Sequence, residues 1–369
     1  MDRRVSYDKP FLLLSVLLTL AGTFIFISAS FGLLLRSGPS FASILISQIG
    51  IGLAGGIIIA YVLYRTPLAW IQKVAPFAFI FSCLLLILVF VPDIGLSHGG
   101  ARRWLLIGSF SFQPAELLKI TYLLILAAWC SMVGGRIKTV RFGVLPFLCI
   151  NIIVGILLIL QPDTGTFIIV GVTGLAMFII AGAQWKHILV IIGIGILAIL
   201  LLVMWKPYIK DRVLTFINPD RDPYGSSYQI QQSLVAIGSG GFSGRGFGQS
   251  IQKFNYLPEP IGDSIFAVLG EEFGFIGTVS TVLLLVLFAL RGLGIAMRSK
   301  NDFGRLVVVG IVILIITQSF MNIAAVLGLI PLTGEPLVFV SHGGSSLLFA
   351  LANIGLVLNI SAHPDRSSA

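Results

Sequence analysis

The sequence predicts an all-α, polytopic membrane protein of about ten transmembrane helices, with a long extracytoplasmic loop between the seventh and eighth. The 369 residues are 57% hydrophobic and only 11% charged, and their mean hydropathy is +1.02. Soluble domains carry about 25% charged residues. These values therefore exclude a soluble enzyme, a disordered protein and a nucleic-acid-binding domain.

Ten apolar runs are each long enough to cross a bilayer, which takes about 20 residues. The first run follows Arg3, Arg4 and Lys9 and is too long for the apolar core of a signal peptide. The predicted spans are 11–32, 41–64, 74–92, 115–133, 142–161, 164–183, 186–205, 264–290, 306–330 and 338–361. We expect residues 1–369 to form a single transmembrane domain.

The distribution of Lys and Arg predicts that both termini are cytoplasmic. Cytoplasmic connections of membrane proteins carry an excess of these residues. Here the connections on the side of the two termini hold more of them than the opposite connections do. The net charge of +9 is therefore mostly a signal of topology, and no nucleic-acid partner is expected.

The connection 206–263 is far longer than any other and predicts a large extracytoplasmic loop. Long loops on a compact bundle are usually functional or disordered, and this one is not of low complexity. Residues 228–237 place apolar side chains at i, i+4 and i+7, which indicates a short amphipathic helix at the membrane interface. A glycine-rich stretch, 238–248, follows it.

Charged residues near the start of the fourth span are candidates for a functional site. Glu116 and Lys119 are three apart and so share a helix face. Charges in a membrane are costly and often functional, although this pair could simply neutralise itself. Arg102, Arg103 and Gln113 would line a polar cavity above it. Guanidinium groups bind phosphate oxygens in bidentate fashion, but snorkelling anchors are an alternative for the arginines.

Several carboxylates lie near span ends. Asp263 closes the long loop and opens the eighth span, where it could cap the helix or face the loop cations; Glu259 could serve instead. Asp163 lies in the turn between spans five and six, where turn chemistry is a sufficient explanation. Glu271 and Glu272 lie deeper, and at least one should face the interior or pair.

The polar stretch Ser-His-Gly-Gly-Ser-Ser at 341–346 interrupts an apolar region near the start of the tenth span. His342 could titrate near neutrality, or the stretch could be a broken helix end that lines a cavity. The sequence contains no Ser-His-Asp arrangement, no zinc spacing and no nucleotide-binding glycine motif in the right context.

Seven motifs occur along nearly the whole chain in the order found in one family of membrane proteins. They are GARRW (100–104), FQPAELLK (112–119), QPDTGT (161–166), QQSLVAIGSGG (231–241), YLPEP (256–260), FAVLGEEFG (266–274) and SHGGS (341–345). Together they resemble the SEDS family (shape, elongation, division and sporulation), which contains the RodA and FtsW proteins. The FtsW and sporulation branch is the more similar.

The resemblance implies a glycosyltransferase that polymerises lipid II into peptidoglycan at the outer face of the bacterial cytoplasmic membrane. It implies four partners: lipid II, the growing glycan strand, membrane lipids and a class B penicillin-binding protein. Asp263 matches the essential loop aspartate of the family, which argues against a mere capping role. The expected substrate-binding residues are Arg102, Arg103, Gln113, Glu116, Lys119, Asp163, Gln232, Ser233, Glu259, Ser341, His342, Gly343 and Ser345. The chain departs from the family at Gly262 and Ser264, which flank the aspartate, and at His342, where a tyrosine is usual.

The resemblance also implies an inverting displacement, because the family is known to change the glycosidic linkage from α to β. A sugar hydroxyl attacks an anomeric carbon that carries undecaprenyl pyrophosphate, with Asp263 as general base and nearby cations stabilising the leaving group. A divalent cation, Mg²⁺ or Mn²⁺, is expected to assist, and no organic cofactor is expected. The alternative is a lipid II flippase, whose key charges would lie near the membrane midplane; a scaffold is a third hypothesis.

Overall fold

The computed structural model describes residues 7–35, 41–92, 94–98, 101–107, 110–218 and 225–363. Arg3 and Arg4, which precede the first predicted span, lie outside these ranges. Within them, helices form at each of the ten predicted spans, and nine of these helices are long and apolar enough to cross a membrane.

The helices that coincide with the predicted spans are numbered here in chain order together with two loop helices. They are α1 (Lys9–Ser30), α2 (Phe41–Arg65), α3 (Leu68–Leu88), α4 (Pro114–Val133), α5 (Val140–Leu160), α6 (Thr164–Ile180), α7 (Trp185–Trp205), α8 (Pro207–Ile217), α9 (Ser226–Gly240), α10 (Ile265–Arg298), α11 (Asp302–Val326) and α12 (Gly344–Ala362). The exception to the length criterion is α6, whose 17 residues rise about 26 Å. That length is still close to the hydrocarbon thickness of about 30 Å.

Two predicted span starts are wrong by six residues, and the eighth span ends at Arg298 rather than at 290. The third span begins at Leu68 rather than at 74, directly after Pro67, because a proline is well tolerated where a helix starts. The tenth begins at Gly344 rather than at 338. Residues 338–343 are apolar enough to resemble a span, but their backbone is bonded to a neighbouring loop, so the helix starts later.

The expectation of an all-α chain misses one small sheet between α3 and α4. Three antiparallel strands, β1 (Gly95–His98), β2 (Ala101–Ile107) and β3 (Phe110–Phe112), pair in the order β1-β2-β3. Side chains along a strand alternate between its two faces. The alternation buries Leu105 but leaves Leu106 exposed, and it likewise separates Arg102 from Arg103.

The long loop contains two helices, α8 and α9. The short helix predicted over 228–237 is confirmed and extends over Ser226–Gly240. One face of α9, with Ser233 and Ala236, is buried, and the helix packs against α10. The described residues of the loop, 206–218 and 225–263, therefore form a layer over one end of the bundle.

The centre of the bundle is formed by α4, α11 and α12, which are buried along most of their length, whereas α7 is largely exposed. Polar residues on the central helices consequently face each other rather than lipid. The connections 94–113, 161–163, 206–264 and 327–343 all lie at one end of the bundle, which we call the loop end. At the other end Asp8 forms a bidentate ion pair with Arg291 (2.6 and 2.8 Å).

Close packing of α1 against the segment before α12 gives a stability prediction. A Cβ atom on Gly22 would overlap the Phe339 carbonyl oxygen, whereas a Cβ on Gly171 of α6 would meet nothing within 4 Å. Gly22→Ala is expected to lower the free energy of unfolding by about 1–3 kcal/mol, since overpacking forces the backbone to move. Gly171→Ala, the matched control, should be neutral or gain up to about 1 kcal/mol.

Thermal unfolding of the detergent-solubilised variants measures both effects. Equal melting temperatures for the two glycine variants would contradict the close approach of α1 to residue 339.

Candidate functional site

Two irregular segments meet at the loop end and position Asp263. The His342 amide donates to the Ile261 carbonyl (2.6 Å), and the Ser341 hydroxyl donates to the Gly262 carbonyl (2.6 Å). The Ser341 hydroxyl also accepts a bond from the Leu337 amide (2.8 Å). Ser341 and His342, which we expected to bind substrate, thus hold the backbone immediately before Asp263.

The segment before α12 is fixed in turn by Gln48 on α2. Its amide nitrogen donates to the Ser341 carbonyl (3.2 Å), and its amide oxygen accepts from the Gly343 amide (2.9 Å). Gly343 therefore acts through its backbone. The hydroxyl of Ser345 is buried and has no hydrogen-bond partner among the described residues.

The Asp263 carboxylate belongs to the site and not to a helix cap. Ser264 is the N-cap of α10 and makes no side-chain capping bond, while Asp263 accepts from the Gln229 amide on α9 (3.1 Å). The capping interpretation is therefore wrong. Burial, and next the negative charge of nearby Glu259, raise the pKa of Asp263 to about 6.

Glu259 acts on Asp263 through its charge. Its side chain is exposed, and its backbone carbonyl accepts from the amides of Gly262 (3.0 Å) and Ser264 (3.2 Å). The turn made by these bonds places Asp263 at the start of α10.

Glu116 and Lys119 form the expected pair and extend it to α11. The Lys119 ammonium donates to Glu116 Oε1 and to Gln318 Oε1, both at 2.8 Å. The Gln318 amide donates to the Pro336 carbonyl (3.1 Å). Both charged side chains are buried, and they line a cavity with room for about one water molecule. The pair neutralises itself and also ties α4 to the segment that precedes α12.

Asp163 combines turn chemistry with an electrostatic role. It caps α6 by accepting from the Thr166 amide (3.3 Å) and hydroxyl (3.1 Å), as turn chemistry predicts. Arg103 lies 3.9 Å away across an ion pair and donates to the carbonyls of Gln161 (3.1 Å) and Pro162. Arg103 thus points toward the bundle and is not a snorkelling anchor.

Other expected substrate-binding residues lie less centrally. Arg102 is exposed on β2. Gln113 is half-buried and makes no capping bond at the start of α4. Gln232 is half-buried on α9, and the Ser233 hydroxyl donates within its own helix to Gln229 (2.7 Å). The structure does not bring these four side chains into contact with Asp263.

Arg212 on α8 is a site residue that the sequence reasoning missed. Its guanidinium donates to the Thr333 carbonyl (3.2 Å), and its charge interacts with Asp163, Asp263 and Arg103. Burial, and next the positive charge of Arg103, lower the pKa of Arg212. This half-buried cation could have been found from the spacing of Tyr208 and Arg212, which share a face of a short helix.

Glu335 and Asn322 were also missed. Glu335 lies in the short connection between α11 and α12 and is 5% exposed. The Asn322 amide donates to the carbonyls of Asp263 (2.7 Å) and Glu335 (2.8 Å) and so joins the two connections. Burying a carboxylate is costly, and we used this argument only for residues within the spans. The same argument, applied to the connection between α11 and α12, would have identified Glu335 as a candidate site residue.

His342 does not behave as the expected proton site. Burial lowers its pKa to about 4, so the ring is neutral at pH 7. The ring stacks on Phe26 with 5.8 Å between centroids. His342 therefore fills a packing position.

Glu271 and Glu272 both find partners, as expected for carboxylates at this depth. Glu272 forms an ion pair with Lys253 (2.7 Å), and both side chains are fully buried. Ser28 on α1 donates to the same carboxylate. Glu271 accepts from the Ser250 hydroxyl (2.6 Å). These bonds attach the second half of the long loop to α10 and α1.

The glycine-rich stretch fills a break in α10. Gly274 has φ 61° and ψ −158°, a conformation that favours glycine, and it interrupts the helical hydrogen bonds. The loop replaces them through four bonds: Arg245 N to Glu271 O (3.0 Å), Gly246 N to Glu272 O (2.9 Å), Phe275 N to Gly241 O (2.9 Å) and Ile276 N to Phe242 O (3.2 Å). The outer turns of α10, which follow Asp263, are thereby fixed to the loop.

The described residues do not fit a resident metal ion. They contain no group of three or more His, Cys, Asp or Glu side chains that could hold one. The expected divalent cation therefore stays a prediction.

The fold and the site define a polytopic membrane protein with a charged site beneath an ordered loop at one end of the bundle. Residues 9–366 match the model of the FTSW_RODA_SPOVE family, described as "Cell cycle protein", and the chain belongs to that family. The expected SEDS membership is therefore confirmed.

Relatives and solved structures agree with this assignment. "Stage V sporulation protein E" of Bacillus subtilis (strain 168) is 40% identical over 314 residues, 85% of each chain. "Probable peptidoglycan glycosyltransferase FtsW" of Escherichia coli O6:H1 is 36% identical over 364 residues, 97% of this chain and 87% of that protein.

The fold is similar to that of a chain in a structure described as "Structural coordination of polymerization and crosslinking by a peptidoglycan synthase complex". The TM-score is 0.79 with 31% identity, covering 98% of this chain and 99% of that one. Thermus thermophilus RodA gives 0.71 with 27% identity and covers 98% of both chains.

The Lys253–Glu272 pair gives a prediction about loop anchoring. Lys253→Met should lower the free energy of unfolding by about 3–5 kcal/mol, because it leaves a buried carboxylate without its cation. The double variant Lys253→Met/Glu272→Gln should recover part of that loss. Asp302→Asn, which breaks an exposed pair with Arg305, is the control and should cost at most about 1 kcal/mol.

Thermal unfolding and limited proteolysis of residues 241–256 measure these effects. A Lys253→Met protein as stable as the Asp302→Asn protein would show that the pair does not anchor the loop.

Proposed function

We propose that this chain is a peptidoglycan glycosyltransferase that polymerises lipid II, with the loop end at the outer face of the bacterial cytoplasmic membrane and both termini cytoplasmic. The observation that carries the proposal is the setting of Asp263. Its carboxylate is partly buried beside Gln229, its pKa is raised to about 6, and the charge of Arg212 acts on it. The names of the FtsW relatives support the same activity.

Asp263 is suited to act as general base. At pH 7 a carboxyl group with a pKa of about 6 is mostly ionised, yet more basic than an ordinary aspartate. In the proposed step the acceptor's hydroxyl oxygen forms a bond to the donor's anomeric carbon. The bond from that carbon to the diphosphate oxygen breaks, and the hydroxyl proton passes to Asp263. One displacement inverts the configuration at the anomeric carbon.

The leaving diphosphate needs positive charge, which Arg103 and Arg212 are proposed to supply. Both guanidinium groups lie at the loop end and donate to backbone carbonyls, so donors remain for phosphate oxygens. Lys119 is already bonded to Glu116 and Gln318 and contributes its charge from below. A role for exposed Arg102 stays a prediction. Mg²⁺ or Mn²⁺, if required, would arrive bound to the diphosphate, and no step is assigned to it.

A class B penicillin-binding protein is the proposed protein partner. A similar fold occurs in a structure described as a peptidoglycan synthase complex that coordinates polymerization and crosslinking. We propose the same division of labour here: this chain polymerises, and the partner crosslinks the glycan strands. Growing glycan strands and membrane lipids complete the expected partners, whether the role is in division, elongation or sporulation.

The position of the site favours polymerisation over lipid II flipping. A transporter places its key charges near the midplane, at discontinuous helices that line a path. Here the proposed base and the guanidinium groups lie at the loop end. The cavity beneath them, between α4, α11 and α12, has room for about one water molecule.

Asp263→Asn should reduce lipid II polymerisation by about 100-fold or more, because the neutral amide cannot take up the hydroxyl proton. The assay measures glycan product from purified protein with its cognate penicillin-binding protein. Asp302→Asn, the same chemical change at an exposed site of the opposite end, is the matched control and should leave the rate unchanged.

A wild-type rate in Asp263→Asn would remove the proposed base. A parallel lipid II scrambling assay in liposomes separates the alternatives: efficient scrambling without glycan product would favour the flippase.

Below pH 7 the activity should rise with pH, with a midpoint at about pH 6, because Asp263 must be ionised to act as a base and its pKa is raised to about 6. Below the midpoint, kcat/KM should fall about tenfold per pH unit. Glu259→Gln should move the midpoint to lower pH, since it removes a negative charge that raises the pKa of Asp263. The pH profile of kcat/KM measures this shift, and a midpoint unchanged by Glu259→Gln would contradict it.

A further inference from the structure

Glu335 is a buried carboxylate that the proposed reaction does not use. It lies between α11 and α12, and two side chains of α11 hold the backbone there. The Asn322 amide donates to the Glu335 carbonyl (2.8 Å), and the Gln318 amide donates to the Pro336 carbonyl (3.1 Å). The first turn of α6 approaches so closely that a Cβ on Gly165 would overlap the Glu335 carboxylate. The side chain therefore has a defined position beside Asp163.

The hydroxyl of Thr166 lies between the two carboxylates. Its oxygen is 3.1 Å from Asp163 Oδ2 and 3.1 Å from Glu335 Oε1. A hydroxyl carries one proton and otherwise only lone pairs. If both carboxylates were ionised, one of them would face a lone pair of Thr166 at hydrogen-bond distance. One added proton, on either carboxyl group, satisfies all three oxygens.

The surroundings place that proton on Glu335. Asp163 is stabilised as an anion by the Thr166 amide (3.3 Å) and by Arg103 at 3.9 Å. The described residues give Glu335 no ion-pair partner within 4.0 Å. Lys119, whose positive charge acts on Glu335, donates instead to Glu116 and to Gln318. Glu335 thus has the weaker stabilisation as a carboxylate.

The charged groups around Glu335 come from each element packed against it. Asp163 lies before α6, Glu116 and Lys119 lie on α4, and Arg212 of α8 donates to the Thr333 carbonyl two residues away. Burial, and next the negative charge of Asp163, raise the pKa of Glu335 to about 8. This direction agrees with the hydrogen-bond geometry at Thr166.

We infer that Glu335 is a neutral, protonated acid at pH 7 and that its protonation sets the net charge of the diphosphate-binding end of the site. The inference rests on the proposed function for the identity of the ligand. With Glu335 neutral, the cations Arg103, Lys119 and Arg212 balance the anions Glu116, Asp163 and Asp263. Ionisation of Glu335 would leave one negative charge in excess, which opposes the binding of a diphosphate.

The binding test compares wild type with Glu335→Gln, which is permanently neutral and nearly the same size. Lipid II affinity is measured in nanodiscs from pH 7 to pH 9. Wild-type affinity should fall about tenfold over this range, the effect of one charge about 10 Å away at an effective dielectric constant of about 20. Glu335→Gln should bind as wild type does at pH 7 and change by less than about twofold.

Asp302→Asn, remote from the site, serves as the control and should retain the wild-type pH dependence. The inference fails if Glu335→Gln keeps the alkaline loss of affinity, or if wild type shows none.

A spectroscopic test is independent of catalysis and of lipid II. The infrared difference spectrum of wild type minus Glu335→Gln at pH 7 should contain the carbonyl stretch of a protonated carboxylic acid. The band should disappear on titration with a midpoint of about pH 8. Asp163→Asn should move this midpoint to lower pH, since it removes the neighbouring negative charge. This variant also tests the interaction between Asp163 and Glu335 if Glu335→Gln does not fold.

The two kinds of failure are distinguishable. Absence of the band, or a midpoint unmoved by Asp163→Asn, would overturn the protonation of Glu335 even in an active polymerase. A protonated Glu335 in a chain that makes no glycan would overturn only the proposed function.

Discussion

An ionised side chain buried in a membrane bundle needs a partner, and this requirement organises the loop end of the molecule. Lys119 binds Glu116 and reaches α11 through Gln318. Lys253 binds Glu272 and attaches the long loop to α10. These bonds offset the cost of burying the charges. Because they join elements that are far apart in the sequence, they also determine where the loops lie.

Asp263 inherits its position from these contacts. The carbonyls of residues 261 and 262 accept from the segment before α12, and its own carbonyl accepts from Asn322. Its carboxylate accepts a hydrogen bond from Gln229 on α9, and the charges of Glu259 and Arg212 act on it. An aspartate whose backbone is held by the segment before α12 and by α11 can keep one orientation while its side chain remains available for chemistry.

Hydropathy was sufficient to predict the ten helical spans, and residue spacing was sufficient to predict the Glu116–Lys119 pair and helix α9, because each of these depends on local pattern. The sheet at 95–112 was missed because its strands are short and lie in a segment read as a loop. Whether Arg102 or Arg103 faces the bundle depends on strand alternation, which follows only once the sheet is known. Arg212, Glu335 and Asn322 come together through tertiary contacts between distant connections. The sequence pattern drew attention to the motif 341–345, but it does not reveal the backbone and packing contacts that these residues make.

The interruption of α10 at Gly274 has a mechanical consequence. The turns before it are bonded to the loop through the carbonyls of Glu271 and Glu272, and the part after it through the amides of Phe275 and Ile276. The loop therefore bridges the break and holds both parts of α10 in one alignment. A neighbouring helix that pushed on the membrane-crossing part would load the loop as well as the helix, and the displacement would reach the layer that surrounds the aspartate.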